Sequence, residues 1–376
     1  MVLLQQVALR LKKVIGSQNV ISRFGGDEFT VLLPCIKSTE EVAVVANNIL
    51  DSLLLPFSIL SNEVTIGASI GIGIYPDDGK DASTLLSCAD NAMYSAKEGG
   101  RAGCQFYTKQ MKVDAHERVL MERELRDALK NGDFLLYYQP QIDIRTNKVI
   151  GTEALIRWRH PSKGLISPDK FIPVAEATGL IVPIGQWVIE EACRQLQRWT
   201  ADVVDDLTMA INLSARQFFQ KDLLEIIERA IEVSDISASK LEFEITESMM
   251  MVNIEETIDT LHKIKSIGVQ LSIDDFGTGY SSLSYLKKFP LNKLKIDKSF
   301  IDGITDNTDD LAIVKAIIGI AHSLNLTVIA EGVETAEQYK LLTQYQCNEI
   351  QGFYFSKPLS SLAAGKFFKE TCSIAS

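Results

Sequence analysis

The sequence predicts an α/β protein whose larger part is a (β/α)8 barrel, preceded by a smaller α/β unit. Three observations carry this. Eight strand-like apolar segments fall between Phe134 and Phe355, most of them separated by helical stretches, the alternation a barrel of strands ringed by helices requires. Acidic and amide residues recur where those segments end. Ahead of them, residues 1–110 alternate helical and strand-like segments around a glycine turn.

The chain opens on an amphipathic helix, with Leu3, Leu4, Val7, Ala8, Leu11, Val14 and Ile15 at helical spacing. Val20-Ile21 and Val31-Leu32-Leu33 flank Arg23-Phe24-Gly25-Gly26-Asp27-Glu28-Phe29, which reads as two strands joined by a tight turn. A helix over Glu40 to Leu54, an alternating strand over Thr65 to Ile74, a helix over Ala82 to Lys97 and a short strand near Cys104 to Tyr107 complete the first unit. Thr108 to Asn131 is charged and helical in pattern, with Gly132 as its stop. The expected organisation is therefore a first domain over 1–110, a helical linker over 111–132 and a barrel over 133–370.

The barrel strands are expected at Phe134–Asp143, Val149–Trp158, Leu207–Leu213, Lys240–Thr246, Val269–Asp274, Leu294–Asp297, Thr327–Glu331 and Glu349–Phe355. The first two are joined too closely for a helix, so one strand is expected to run antiparallel.

Composition narrows the function classes. With 49 acidic and 38 basic residues, the formal charge of −11 would repel a phosphate polymer, which argues against long DNA or RNA. Residues 1–110 carry 9 basic and 11 acidic residues, so most of the acid excess lies in the barrel. No apolar run approaches the roughly 18 residues of a membrane span. Six cysteines are scattered without a Cys-x-x-Cys pair, which fits reduced thiols and argues against structural zinc. The expected location is the cytoplasm, either alone or as the cytoplasmic part of a longer membrane-anchored protein, with no membrane contact from this chain. Four histidines leave any metal chemistry to rest mainly on carboxylates.

Barrels of this kind place function at the carboxyl ends of their strands. Glu153, Asn212, Glu244 with Glu247, Asp274-Asp275, Lys295 with Asp297, Glu331 and Gln351 all fall at such positions. One acidic strand end is usually a helix cap, but seven polar strand ends together form a ring that would repel itself without a cation. Oxygen ligands of this type suit Mg²⁺ or Mn²⁺, and adjacent aspartates could help bridge a metal pair of the kind that drives phosphate-ester hydrolysis.

Glu153-Ala154-Leu155-Ile156-Arg157-Trp158 resembles the signature of the EAL family of cyclic di-GMP phosphodiesterases. The resemblance extends through Tyr138-Gln139-Pro140, Asn212-Leu213-Ser214, Glu244-Ile245-Thr246-Glu247, Asp274-Asp275-Phe276-Gly277-Thr278-Gly279-Tyr280, Lys295-Ile296-Asp297, Glu331-Gly332-Val333-Glu334 and Gln351-Gly352, and it implies a TIM-like barrel. It implies that Glu153, Asn212, Glu244 and Asp274 bind one metal, with Asp274, Asp275, Asp297 and Glu331 near a second. Lys295 would orient the attacking water, Glu331 would be the candidate base, and Asp275 would share the catalytic metal. Arg157 would pair with a substrate phosphate; Gln139, Leu155, Gln351 and Pro358 would line the substrate site. Glu247 would anchor the loop through Phe276, Gly277, Thr278 and Gly279, which in the family lies at a dimer contact, so a homodimer is expected. The implied activity is metal-dependent hydrolysis of cyclic di-GMP to linear pGpG, with a silent cyclic di-GMP receptor as the alternative.

Residues 1–110 similarly resemble the GGDEF diguanylate cyclase family through Gly25-Gly26-Asp27-Glu28-Phe29 and Lys97 to Arg101. Gly25 and Gly26 would let the backbone approach a phosphate, Asp27 would hold a metal, and Lys97 and Arg101 would contact a triphosphate. The family's preceding metal-binding strand and guanine-recognising segment have no counterpart before Met1, and its product-inhibition motif is replaced by Gly16-Ser17-Gln18-Asn19. A degenerate site, a regulatory or dimerising role with GTP as effector, and no cyclase activity are the expectations.

Overall fold

The computed structural model describes residues 2–36, 38–59, 62–98, 103–202, 206–251, 253–277 and 283–373. The chain divides into two compact units, Met1–Leu120 and Met121–Ser376.

In the first unit, helix Val2–Ile15 buries Val7, Leu11 and Ile15. Strands Val20–Gly25 and Glu28–Leu32 form the antiparallel hairpin around the glycine turn, where Gly26 has φ +48°. Helix Thr39–Leu54 starts where the Ser38 hydroxyl accepts from the Glu41 amide at 3.4 Å. The expected long strand over Thr65–Ile74 is reduced to Ile70–Ile72, paired in parallel with Cys104–Phe106. Glycine explains the closeness of its packing: a Cβ on Gly71 would stand 1.9 Å from the Ala89 carbonyl oxygen, so this stretch lies flat on helix Ala82–Glu98. A second hairpin, Phe57–Ile59 with Asn62–Val64, was not signalled by the residue pattern.

Helix Lys109–Asn131 contains the division between the units. Its last turns bury Leu125 and Ala128 in the barrel core, so this stretch of the expected linker packs as part of the second unit.

The second unit is a closed eight-stranded barrel. Its strands are β1 (Phe134–Asp143), β2 (Val149–His160), β3 (Thr208–Asn212), β4 (Leu241–Thr246), β5 (Gln270–Phe276), β6 (Lys293–Ile296), β7 (Thr327–Ala330) and β8 (Glu349–Ile350). Pairing runs in order from β2 to β8, and β1 closes the ring between β8 and β2, antiparallel to both. The antiparallel strand is thus the first. Helices Leu223–Ser234, Ile254–Ser266, Thr308–Ser323 and Ala336–Gln344 follow β3, β4, β6 and β7 and bury their apolar stripes on the ring.

Two strands differ from expectation in ways that shape the site. β2 runs on to His160, so Glu153 lies within it and the remainder projects beyond β3, paired with β1 and with strand Gly164–Ile166. Phe134, Trp158 and Phe171 pack at centroid distances of 5.8–6.2 Å and brace that projection. β8 stops at Ile350, short of the expected Phe355, because the backbone turns at Gly352, where a Cβ would come 2.1 Å from the Val333 carbonyl oxygen.

Candidate active site

Side chains of a strand alternate between the two faces, so residues two apart share one face. That rule puts Lys293 with Lys295, Glu242 with Glu244, Ser272 with Asp274, and Glu349 with Gln351 on the lumen side of the ring. The upper member of each pair belongs to the predicted site.

Lys295 lies at its centre, almost fully buried, with its ammonium 2.7 Å from Glu244, 3.1 Å from Asp274 and 2.6 Å from Glu331. Burial alone would lower the lysine's pKa, but Asp274, Glu153, Glu244 and Glu331 overcome it and hold the ammonium well above its ordinary value. Beside this cluster, Glu153 accepts from Asn212 Nδ2 at 2.6 Å and from Gln351 Nε2 at 2.5 Å. Gln351 also donates to Gln139 at 3.1 Å and accepts from Gln141 at 3.2 Å. Gln139 donates in turn to the Ser356 carbonyl at 3.3 Å, so the predicted substrate contact also braces the site's own amides.

Asp275 has φ +54°, a left-handed conformation, and its amide donates to the Asp274 carboxylate at 3.0 Å. The carboxylates of Asp274, Asp275 and Glu331 each place an oxygen within 4.8 Å of the others, a grouping of three ligand-type side chains. Burial and neighbouring Asp274 and Asp297 raise Asp275 to about 6. Burial also pushes Glu331 up to about 8 against the pull of Lys295, and carries Glu244, with Glu153 adding to it, well above the carboxylate range.

Those carboxyls crowd a largely buried space that one lysine does not neutralise. Glu244 Oε1 is buried without a hydrogen-bond partner. An orphaned carboxylate oxygen among acidic neighbours and one amide fits a hard divalent cation.

Asp297 spends one oxygen on the amide of Ser299 at 3.0 Å as the cap of helix Lys298–Gly303, and also meets Asp275. Arg157 and Leu155 lie on the projecting part of β2, the guanidinium 5.6 Å from the Tyr137 ring centroid. Pro358 lies half-buried in the segment after β8. Glu247 is buried and accepts from the Gly277 amide at 2.9 Å, just after Phe276. Thr278 and Gly279 lie outside the described residues, as does Arg101. Gly25, Gly26 and the exposed Asp27 sit at the tip of the first hairpin, and Lys97 near the end of its helix, in the first unit.

Sequence reasoning missed Gln141 and the lower lumen group, in which Lys293 meets Glu242 and Glu349 at 2.8 Å each. The two-residue periodicity was the signal available for finding them.

The family model for the EAL domain matches residues 122–358. The chain belongs to the EAL domain family. A second model, "Diguanylate cyclase, GGDEF domain", matches residues 2–103. This EAL protein is 43% identical over 357 residues to the bifunctional diguanylate cyclase/cyclic di-GMP phosphodiesterase MucR of Pseudomonas aeruginosa, covering 95% of this chain and 52% of that one. It is 39% identical over 367 residues to the cyclic di-GMP phosphodiesterase PdeR of Escherichia coli, covering 98% and 55%. The chain thus spans about half the length of these curated relatives. Among solved structures, the EAL barrel resembles the PaMucR phosphodiesterase in complex with c-di-GMP, with 44% identity, a TM-score of 0.64, and coverage of 65% of this chain and 99% of that one. No helix among the described residues is long and apolar enough to cross a membrane.

Proposed function

We propose that this chain is a metal-dependent phosphodiesterase that hydrolyses cyclic di-GMP to linear pGpG. The observation that carries the reading is the convergence of Glu153, Asn212, Glu244, Asp274, Asp275, Lys295 and Glu331 on one lumen end, in a chain whose relatives are named for this activity.

Glu153, Asn212, Glu244 and Asp274 would hold one Mg²⁺ or Mn²⁺, and Asp274, Asp275 and Asp297 a second, with Glu331 beside it. Such ions supply charge to the phosphate and lower the pKa of water. Lys295 fixes one oxygen of Glu331 at 2.6 Å, leaving the other to accept the proton of the attacking water. The water oxygen bonds to phosphorus, the bond to the ribose 3′ oxygen breaks, and that oxygen gains a proton. Arg157 would receive a phosphate with its fork of donors, while Leu155, Gln139, Gln351 and Pro358 would border the substrate.

A homodimer formed through the barrel, a cytoplasmic location, GTP as effector of the first unit and the absence of cyclase activity belong to the same proposal. The test is incubation with cyclic di-GMP in Mg²⁺ and in Mn²⁺, with pGpG followed by chromatography. Turnover supports the reading; binding without turnover in both metals overturns it in favour of a receptor.

A further inference from the structure

The segment after β8 carries an aromatic side chain that the catalytic cluster does not use. Phe353 is 50% exposed, although it follows the buried Gln351 and Gly352 directly. Its position is fixed by backbone. The Val333 amide donates to the Gln351 carbonyl at 3.1 Å and the Tyr354 amide to the Val333 carbonyl at 2.9 Å, fastening this segment to the one that follows Glu331. A Cβ on Gly352 would collide with Val333, so the two segments approach more closely than any side chain at 352 would allow. Phe353 is therefore held beside the mouth of the barrel, two residues beyond the amide that braces Glu153.

Two lysines attend its ring. The Lys357 ammonium is 5.4 Å and the Lys298 ammonium 5.8 Å from the ring centroid. Lys298 is neutralised by Glu334 at 2.5 Å, and its stem lies against Gly332, next to Glu331. Lys357 is exposed and has no carboxylate partner among the described residues. A half-exposed aromatic ring with an uncompensated cation over it fits a ligand that is both aromatic and anionic. A purine nucleotide has those two properties.

We propose that Phe353 is a stacking platform for one purine base of the substrate, with Lys357 offsetting phosphate charge beside it. This inference rests on the cyclic di-GMP reading. It assigns Phe353 to substrate recognition and not to bond breaking.

The test compares Phe353→Ala, Phe353→Leu and Phe353→Tyr in the full chain, using cyclic di-GMP. Turnover is measured in Mn²⁺, and binding is measured separately by calorimetry in Ca²⁺ under conditions where no product forms. Stacking of a base on an aromatic ring predicts a rise of about ten-fold or more in KM and in Kd for the alanine variant. The kcat should stay within about two-fold, because interactions shared by ground and transition states act on KM. Tyrosine should restore binding, and leucine, which keeps apolar bulk without a π face, should not. Lys357→Ala should weaken binding most at low salt. Unchanged Kd in Phe353→Ala, or full rescue by leucine, overturns the proposal. If the wild type binds cyclic di-GMP without cleaving it, the phosphodiesterase reading fails while the Kd values still judge the platform; if it does not bind at all, both fall.

Discussion

Lys293 precedes Lys295 by two residues on β6, and the two lysines serve two separate carboxylate groups in one barrel lumen. The lower lysine answers Glu242 and Glu349, at 2.8 Å each, and Glu242 Oε1 has no hydrogen-bond partner. One ammonium for two buried carboxylates is an economy that a single deletion exposes.

Lys293→Met should therefore destabilise the barrel by about 3–5 kcal/mol, the cost of leaving buried charge without its partner. Urea unfolding of the barrel measures it. The pH dependence follows from Glu349, which burial holds above its ordinary 4.5 even with Lys293 present. A raised carboxyl binds its proton more tightly when folded, so its contribution to stability is full below 4.5 and is lost as pH rises through the folded value. Removing the lysine widens that window. The variant should lose more stability than the wild type between mildly acidic and neutral pH; parallel pH profiles would show that the lower group is not charged as described.

Legibility in the sequence followed the physics of each element. Glu153, Asn212, Glu244, Asp274 and Glu331 stood out because polar residues ending apolar segments interrupt a pattern that burial otherwise enforces. The lower group did not, because Glu242 and Lys293 lie among strand residues where an acidic or basic side chain reads as an outward-facing one. Their pairing depends on strand order, which sequence separation hides. Phe353 was obscured by an expected strand through Phe355; the collision at Gly352 that ends β8 is a tertiary fact. The short strand at Ile70–Ile72 likewise depends on helix Ala82–Glu98 pressing on Gly71.

Glu153→Ala removes the carboxylate to which Asn212 and Gln351 both donate. Turnover of cyclic di-GMP should fall by about 100-fold or more, in keeping with loss of a group that organises transition-state charge. Mn²⁺ affinity, titrated by calorimetry without substrate, should fall with it. Normal metal binding in this variant would remove Glu153 from the ligand set.

Lys295→Met separates metal binding from catalysis. The ammonium lies against three carboxylates that would also serve a cation, so on the proposed reading it would compete with the metal while positioning Glu331. Deleting the charge should tighten Mn²⁺ binding, since the carboxylates lose their internal counterion. Turnover should nevertheless fall by about 100-fold, because Glu331 loses its fixed geometry and the phosphate loses a nearby positive charge. Weaker Mn²⁺ binding, with the fold intact by circular dichroism, would mean that Lys295 holds the carboxylates together more than it competes for them.

Glu247 acts at one remove, through the backbone. Its buried carboxylate accepts from the Gly277 amide at 2.9 Å, two residues after Asp275, whose left-handed φ must be held against its steric cost. Gly277 has φ +101°, and a Cβ there would stand 2.9 Å from the Phe300 ring, so the position accepts glycine far more readily than any side chain. Glu247→Ala loses a charge-assisted bond of about 1.5–3 kcal/mol. Because that bond restrains the segment carrying Asp274 and Asp275, the loss should appear mainly as weaker Mn²⁺ binding and lower turnover. Excess Mn²⁺ should recover part of the rate, as occupancy restores the geometry the anchor supplied. A variant whose turnover stays low at saturating Mn²⁺ would place Glu247 in catalysis by another route, and one with unchanged metal affinity would separate the anchor from the metal ligands.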